Sequence, residues 1–300
     1  MNVTTIYINA YKYDSDFAEI CIASIRYWYP DISIVLIKDT GAGKFDTTSL
    51  EKEWAVKIFQ SSRKRFGWGF GKWEPLFVSP VHSFLVLDAD TVLTGPVLDV
   101  AKNITTQFIV HEEVQPLKRL NEIYYKLDRL KEVDDRFVFP GYTFNEGQWF
   151  GTSGVLTRKD FEPILEWTEP PRSKFPQILL YGAQGHFNFM LQLKTQLGFV
   201  SVTRKKIMIF PEGVSADFID LKKIGAKVPD YPFVLHWAGY RFRTIEDLPR
   251  GDILGFYRDY YYSKLGKAYP LKARMRRMSL YYEERLLHYS RRLREFLLRP

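Results

Sequence analysis

One cysteine in 300 residues, Cys21, has nothing to pair with, which excludes an intrachain disulfide framework and a cysteine-based zinc cluster. Such sparing use fits a reducing compartment. No run of 18 apolar residues occurs, so no segment reads as a membrane span. The opening MNVTTIYINAYKYDSD lacks the basic flank and apolar stretch of a secretion signal, and a cytoplasmic protein is the expectation. Repeats and low-complexity tracts are missing as well, which sets aside repeat architectures. Residues 1 to 260 carry no net charge and no basic and aromatic repeat, so nucleic acid is not an expected partner.

What the chain does have is 46% hydrophobic and 16% aromatic residues, enough to bury a substantial core. The one composition break lies near residue 260. Residues 261–300 hold 11 Lys/Arg against three acids, an excess equal to the net charge of the whole chain, +8. Within that tail Leu271, Met275, Met278, Tyr282, Leu286, Tyr289, Leu293 and Phe296 recur at spacings of 3 or 4, one helical stripe among arginines. A basic amphipathic helix of this kind suits an anionic membrane surface, with residues 265–300 as the contact and the inner face of the membrane as the place. Packing on its own domain, or pairing between two copies, are the alternatives.

The body alternates strand and helix patterns. Thr5 to Ala10 and Ile32 to Ile37 read as strands around a helix from Asp16 to Trp28. Ser49 to Ala55 is a weaker helix, Val56 to Phe59 a strand, and Gly67-Trp-Gly-Phe-Gly71 a loop before a helix holding Lys72 to Phe77. Strands are expected at Phe84–Leu87 and Gln107–His111, and helical spacing from Leu117 to Val133. Phe137 to Phe150 reads as irregular and aromatic packing, with Tyr142 or Trp149 suited to a sugar face if exposed. Gly151 to Thr157 reads as a loop entering a strand, Lys159 to Trp167 and Gln184 to Leu193 as helices. Phe233 to Gly239 places His236 at the end of a short strand. The expectation is α/β: a single mixed-sheet domain over residues 1–260, followed by the basic tail over 261–300.

The most informative segment is Phe84-Leu-Val-Leu-Asp-Ala-Asp90, two carboxylates at the end of an apolar run. Buried parallel strands read as such runs, and ligands of open α/β sheets gather beyond their carboxyl ends. Side chains at i and i+2 of an extended segment point the same way, so Asp88 and Asp90 can converge on one hard divalent cation.

Five segments in order, FGKWEPL (70–76), LVLDADTVL (85–93), FNEGQWFGTSGVL (144–156), AQGHFN (183–188) and HWAG (236–239), resemble glycosyltransferases of the GT-A fold. The likeness spans roughly residues 3 to 245 and is greatest to family 8, the bacterial lipopolysaccharide galactosyl- and glucosyltransferase type. It implies a Rossmann-like nucleotide-sugar fold, a Mn²⁺ or Mg²⁺ ion on Asp88, Asp90 and His236, and a UDP-sugar donor. It also implies donor contacts at Ala10, Tyr11, Asp39, Lys72, Asp88, Ala89, Asp90, Gly239 and Arg241. The acceptor expected is a glycan, and a cytoplasmic enzyme with a basic tail suits a lipid-linked one, such as growing lipopolysaccharide or another surface polysaccharide. Such a cation neutralises charge on a departing diphosphate, and imidazole among carboxylates favours Mn²⁺.

The chain departs from that family in two places. Where the family carries Asp-Gln-Asp-x-x-Asn, residues 183–188 read Ala-Gln-Gly-His-Phe-Asn, leaving Gln184 and Asn188 with His186 as candidate catalytic groups. Gln184 inherits a place beside the anomeric carbon in retaining enzymes. Inversion would instead need a base, for which Glu146, Asp160 and His186 are candidates. The family's His-x-x-Gly-x-x-Lys has Phe242 in place of lysine, between Arg241 and Arg243. LVLDADTVL alone also resembles motif I of haloacid-dehalogenase-type phosphatases, with Asp88 as nucleophile. That motif normally opens the chain, whereas here some 80 residues precede it. A nucleotidyltransferase of related fold and a non-catalytic nucleotide-sugar-binding protein complete the alternatives.

Overall fold

The computed structural model of the chain describes residues 1–67, 69–212, 216–229, 233–241 and 244–297, with side chains as far as 290. Trp68 of the glycine-spaced loop, Phe242 and Arg243 lie outside the described residues. So do the tail side chains from Arg291 onward, including Leu293 and Phe296.

The strands of the main sheet are β1 (Val3–Tyr11), β2 (Ser33–Asp39), β3 (Val56–Ile58), β4 (Ser83–Asp88), β6 (Phe108–Glu113), β7 (Thr143–Thr152) and β10 (Val202–Lys205). A second, three-stranded sheet is made of β5 (Thr91–Leu93), β11 (Met208–Ile209) and β12 (Val234–His236), and β8 (Leu165–Glu166) pairs with β9 (Arg172–Ser173). The main sheet runs β10-β6-β7-β4-β1-β2-β3. β7 alone is antiparallel, to both β4 and β6; the other pairs are parallel.

Side chains of β1 and β4 alternate between two cores. Ile6, Ile8, Ala10, Leu85 and Leu87 face α1 (Ser15–Trp28) and α7 (Gly251–Lys264), while Tyr7, Phe84 and Val86 face Trp149 and α5 (Ala183–Gln196). Both faces are covered, which is why the middle of each strand, residues 6–8 and 84–87, is buried and largely apolar. The remaining helices are α2 (Thr48–Glu53), α3 (Leu117–Arg119), α4 (Arg158–Phe161), α6 (Leu221–Gly225) and α8 (Leu271–Leu297).

Several local expectations are corrected. The stretch expected to be irregular contains β7, a ten-residue central strand, and Gly151 and Thr152 end it rather than lead into one. Trp149 and Tyr142 are buried at 0% and 8% exposure, so neither offers a sugar-stacking face. The helix expected from 159 to 167 stops at Phe161: Thr157 and Asp160 form a capping box at its start, and the β8–β9 hairpin follows. The helical spacing of Leu117 to Val133 is met by successive short turns, α at Leu117–Arg119, π at Leu120–Tyr124 and 3-10 at Leu127–Glu132. Lys72 lies in a 3-10 helix, Phe70–Phe77, where Pro75 removes a backbone donor.

The composition boundary near 260 falls inside α7, whose Tyr257, Tyr261 and Tyr262 are buried in the domain core. α8 then returns along the end of β1. Its charged side is turned inward: Arg276 pairs with Asp16 and Glu19, Arg277 donates to the Tyr13 carbonyl, and Glu283 accepts from Lys12 and the Tyr13 hydroxyl. The apolar stripe is turned out, with Leu271, Met275 and Leu286 exposed at 72%, 62% and 70%.

Candidate active site

β4 ends at Asp88, opposite Asn9 of β1, and the chain turns through Ala89 and Asp90 into β5. β5 pairs antiparallel with β12, setting Thr91 against His236, and the Trp237 N–H donates to the Asp90 carbonyl at 2.9 Å. A three-residue ladder thus brings His236 to the Asp-x-Asp turn. Its Nε2 stands 3.2 Å from Asp90 Oδ1 and 3.8 Å from Asp88 Oδ2, and one ligand atom from each residue lies within 4.8 Å of the others.

Two carboxylates and an imidazole at this spacing fit a divalent cation such as Mn²⁺ or Mg²⁺. Gly147 of β7 leaves room for them, since a Cβ there would meet His236 Cε1 at 2.5 Å and Asp88 Oδ2 at 2.8 Å. Burial works against a charge on His236, but Asp90 and then Asp88 raise its pKa above the ordinary value. A cation would take the place of that proton, because a ligating imidazole is neutral.

Lys72 closes the other side. Its Nζ is 2.9 Å from Asp88 Oδ1 and 3.1 Å from Glu146 Oε1. Burial opposes the lysine charge, yet Asp88 and Glu146 together raise its pKa. The Glu146 carboxyl is pushed up to about 7 by burial, with Lys72 pulling down and Asp88 pushing up. Gly69 packs over this pair with a left-handed backbone, φ 86°, and a Cβ there would meet Glu146 Oε1 at 2.8 Å.

The first turn of α5 meets β7 from the opposite wall. Gln184 accepts from the Glu146 N–H at 3.1 Å and donates to the Phe144 carbonyl at 2.7 Å, which joins it to the Lys72–Asp88 cluster. Asn188 is fully buried and clamps β7, accepting from Phe144 N–H and donating to the Phe144 and Gln184 carbonyls. His186 is buried, with one ring nitrogen against the Gly182 carbonyl and the other against Ser173 Oγ. Burial lowers its pKa to about 4. Asn188 and His186 spend their polar atoms on these partners and not on Asp88, Asp90 or His236. Asp160 caps α4 and pairs with Lys194 at 2.5 Å, away from the cluster.

Of the positions expected to contact a nucleoside, Ala10 has its side chain in the core, so only its backbone faces the strand ends. Asp39 is 8% exposed and accepts from the N–H groups of Gly41 at 2.8 Å and Gly67 at 2.7 Å, tying two loops together. Tyr11 lies beside Asp39 in the β1–β2 register. Its hydroxyl donates to Glu284 of α8 at 3.2 Å, and Arg241 Nε reaches the same Glu284 oxygen at 2.9 Å. Gly239 has φ 79° and an open Cβ position, a turn three residues past His236.

Two neighbours of this cluster were not foreseen. Asp14, just past β1, has its carboxyl pushed well up by burial and by Asp90, Asp88 and Glu284, which places it among the site acids. Its position after a strand end was the available signal. Glu284 comes from the tail, where no local pattern points back across 273 residues to Tyr11.

No family model and no curated protein sequence matches the chain. Solved structures match in fold. The bifunctional glycosyltransferase WbbM superimposes with a TM-score of 0.55 at 11% identity over 89% of this chain, which spans about half (52%) of that one. The galactosyltransferase LgtC, solved with donor and acceptor sugar analogs, gives 0.53 at 14% identity, covering 91% of this chain and 99% of LgtC. GlyE of Streptococcus pneumoniae TIGR4 gives 0.53 at 14% identity, covering 90% and 65%. The mixed sheet with its flanking helices is therefore the GT-A glycosyltransferase fold.

Proposed function

We propose that this chain is a metal-dependent glycosyltransferase of the family 8 type, moving a hexose from a UDP-sugar to a glycan or lipid-linked glycan of a cell-surface polysaccharide. One observation carries the reading: on a GT-A scaffold, Asp88, Asp90 and His236 converge at the sheet's carboxyl edge, with Lys72 against Asp88. Those three residues would hold Mn²⁺ or Mg²⁺, which supplies charge neutralisation for a departing nucleoside diphosphate. Lys72 adds fixed positive charge, and Tyr11 and Asp39 border the nucleoside side. The first turn of α5 holds no carboxylate. Gln184 is its polar group beside the cluster, which supports retention, while Glu146 of the cluster is the carboxyl that base-assisted inversion would use.

The outward stripe of α8 supports attachment to the inner face of an anionic membrane. Self-pairing of the same stripe would give an oligomer, separable by sedimentation without lipid.

The test is thermal stabilisation by UDP with Mn²⁺, together with hydrolysis of UDP-hexoses and the anomer formed. Stabilisation lost in Asp88→Ala supports the reading. Phosphate release from simple phosphomonoesters would favour the phosphatase, and binding without hydrolysis or transfer a non-catalytic protein.

A further inference from the structure

Between α8 and the segment that follows His236 lies a cleft of about 470 Å³, walled by Tyr240, Arg241, Asp247, Tyr281, Tyr282 and Arg285. None of Tyr240, Asp247, Tyr281, Tyr282 or Arg285 takes part in the metal triad or its Lys72 cluster. Resting on the proposed function, we infer that this cleft is the acceptor subsite and that its ligand is a saccharide phosphate.

Both cations are held ready. Arg285 donates to the hydroxyls of Tyr281 and Tyr289, each at 2.7 Å, and spends only part of its donor fork there. Arg241 is held through Nε by Glu284 at 2.9 Å and keeps its terminal N–H groups. Two arginines across one cleft match the oxygens of a phosphate, which a guanidinium takes in bidentate fashion. Tyrosine rings give flat apolar faces with polar tips, the surface a sugar ring packs against. Asp247 accepts hydrogen bonds, so it suits the hydroxyls of a sugar.

Position decides the role. Arg241 lies five residues past His236 and shares Glu284 with Tyr11, so the cleft adjoins the metal triad's side of the sheet edge. At its other end Tyr282, 48% exposed, belongs to the outward apolar stripe. A ligand seated here spans from the stripe toward the reacting centre, as the head of a membrane-anchored sugar phosphate would.

The experiment titrates the full-length chain, with Mn²⁺ and in the presence and absence of UDP, with glucose 1-phosphate, methyl glucoside and inorganic phosphate. Glucose 1-phosphate should bind at least tenfold more tightly than either of the other two, and Arg285→Ala should remove that preference while Arg285→Lys keeps part of it. Equal binding of glucose 1-phosphate and inorganic phosphate, or undiminished binding by Arg285→Ala, overturns the assignment. Failure of UDP with Mn²⁺ to bind refutes the donor reading instead, and the titration without UDP judges the cleft in that case. Phosphatidylcholine vesicles carrying dolichyl phosphate glucose separate the sources. Tighter binding to them assigns a lipid-anchored ligand, and equal binding a soluble one.

Discussion

Replacing Gly147 with alanine adds one methyl group behind Asp88 and His236, two of the three proposed metal ligands. The new Cβ would lie 2.5 Å from His236 Cε1, 2.8 Å from Asp88 Oδ2 and 2.8 Å from Asn145 Oδ1. Ordinary contacts begin near 3.4 Å, so the imidazole and the carboxylate must each retreat by several tenths of an ångström. Neither has an easy way out. His236 is 3% exposed, stacked on Phe210 and fixed by the β12–β5 ladder, while Asp88 is held by Lys72. A shift of this size in ligand placement compares with losing a supporting group around a metal, which costs roughly 10- to 100-fold in affinity, or about 1.4 to 2.8 kcal/mol. Gly225→Ala is the control, since its methyl would meet nothing within 4 Å. Mn²⁺ titration followed by electron paramagnetic resonance reads the free ion directly. Mn²⁺ affinity in Gly147→Ala equal to that of Gly225→Ala would refute the assignment of this corner as the metal centre.

Three further outcomes follow from the same geometry. Glu146, raised to about 7 against an ordinary 4.5, holds its proton more tightly folded than unfolded; between those values stability therefore falls as pH rises, by about 3 kcal/mol. Glu146→Gln should flatten that decline in urea melts from pH 4.5 to 7.5, and an unchanged slope would show that the carboxyl titrates elsewhere. Asn188→Ala strands the Phe144 N–H and should cost about 1 to 3 kcal/mol in stability with Mn²⁺ affinity kept; activity lost at unchanged stability would instead make Asn188 catalytic. Met275→Asp with Leu286→Asp should weaken binding to anionic vesicles by at least tenfold, given about 1.5 to 3 kcal/mol for each apolar side chain buried, and co-sedimentation with vesicles at the wild-type level would remove the membrane from the picture.

The parts of the fold readable in advance are those whose physics is local. β1, α1 and β2 announce themselves because a strand covered on both faces has an apolar middle and the helix between repeats every 3.6 residues. Asp88 and Asp90 are visible for the related reason that acids ending such a run have no packing role. β7 escaped because the site lies against it: Asn145, Glu146, Gly147 and Gln148 interrupt the apolar pattern, and Gly147 and Gly151 are small where His236 and Phe84 approach. The stretch from Leu117 to Val133 shows that helical spacing is also met by a chain of short turns once Tyr125 is drawn into a bridge with Leu179. In the tail, spacing defines an apolar stripe but not its direction. Arg276, Arg277, Glu283 and Glu284 found partners on the domain, and those pairings turned the stripe outward. Glu284 beside Tyr11 is a contact between distant parts of the chain, invisible to any reading by window.

α8 is one helix thick, about 10 Å. Its outer side carries the exposed stripe and its inner side, through Glu284, touches Tyr11 and Arg241, so the stripe and the strand ends stand on opposite sides of a single strut. With the stripe in a membrane, that thickness becomes a ruler. Under the proposed attachment to a membrane and a lipid-linked acceptor, hydroxyl groups on the first sugars above the anchor would fall within reach and those at the far end of a long glycan would not, so the protein would act early in chain growth and stop by length alone.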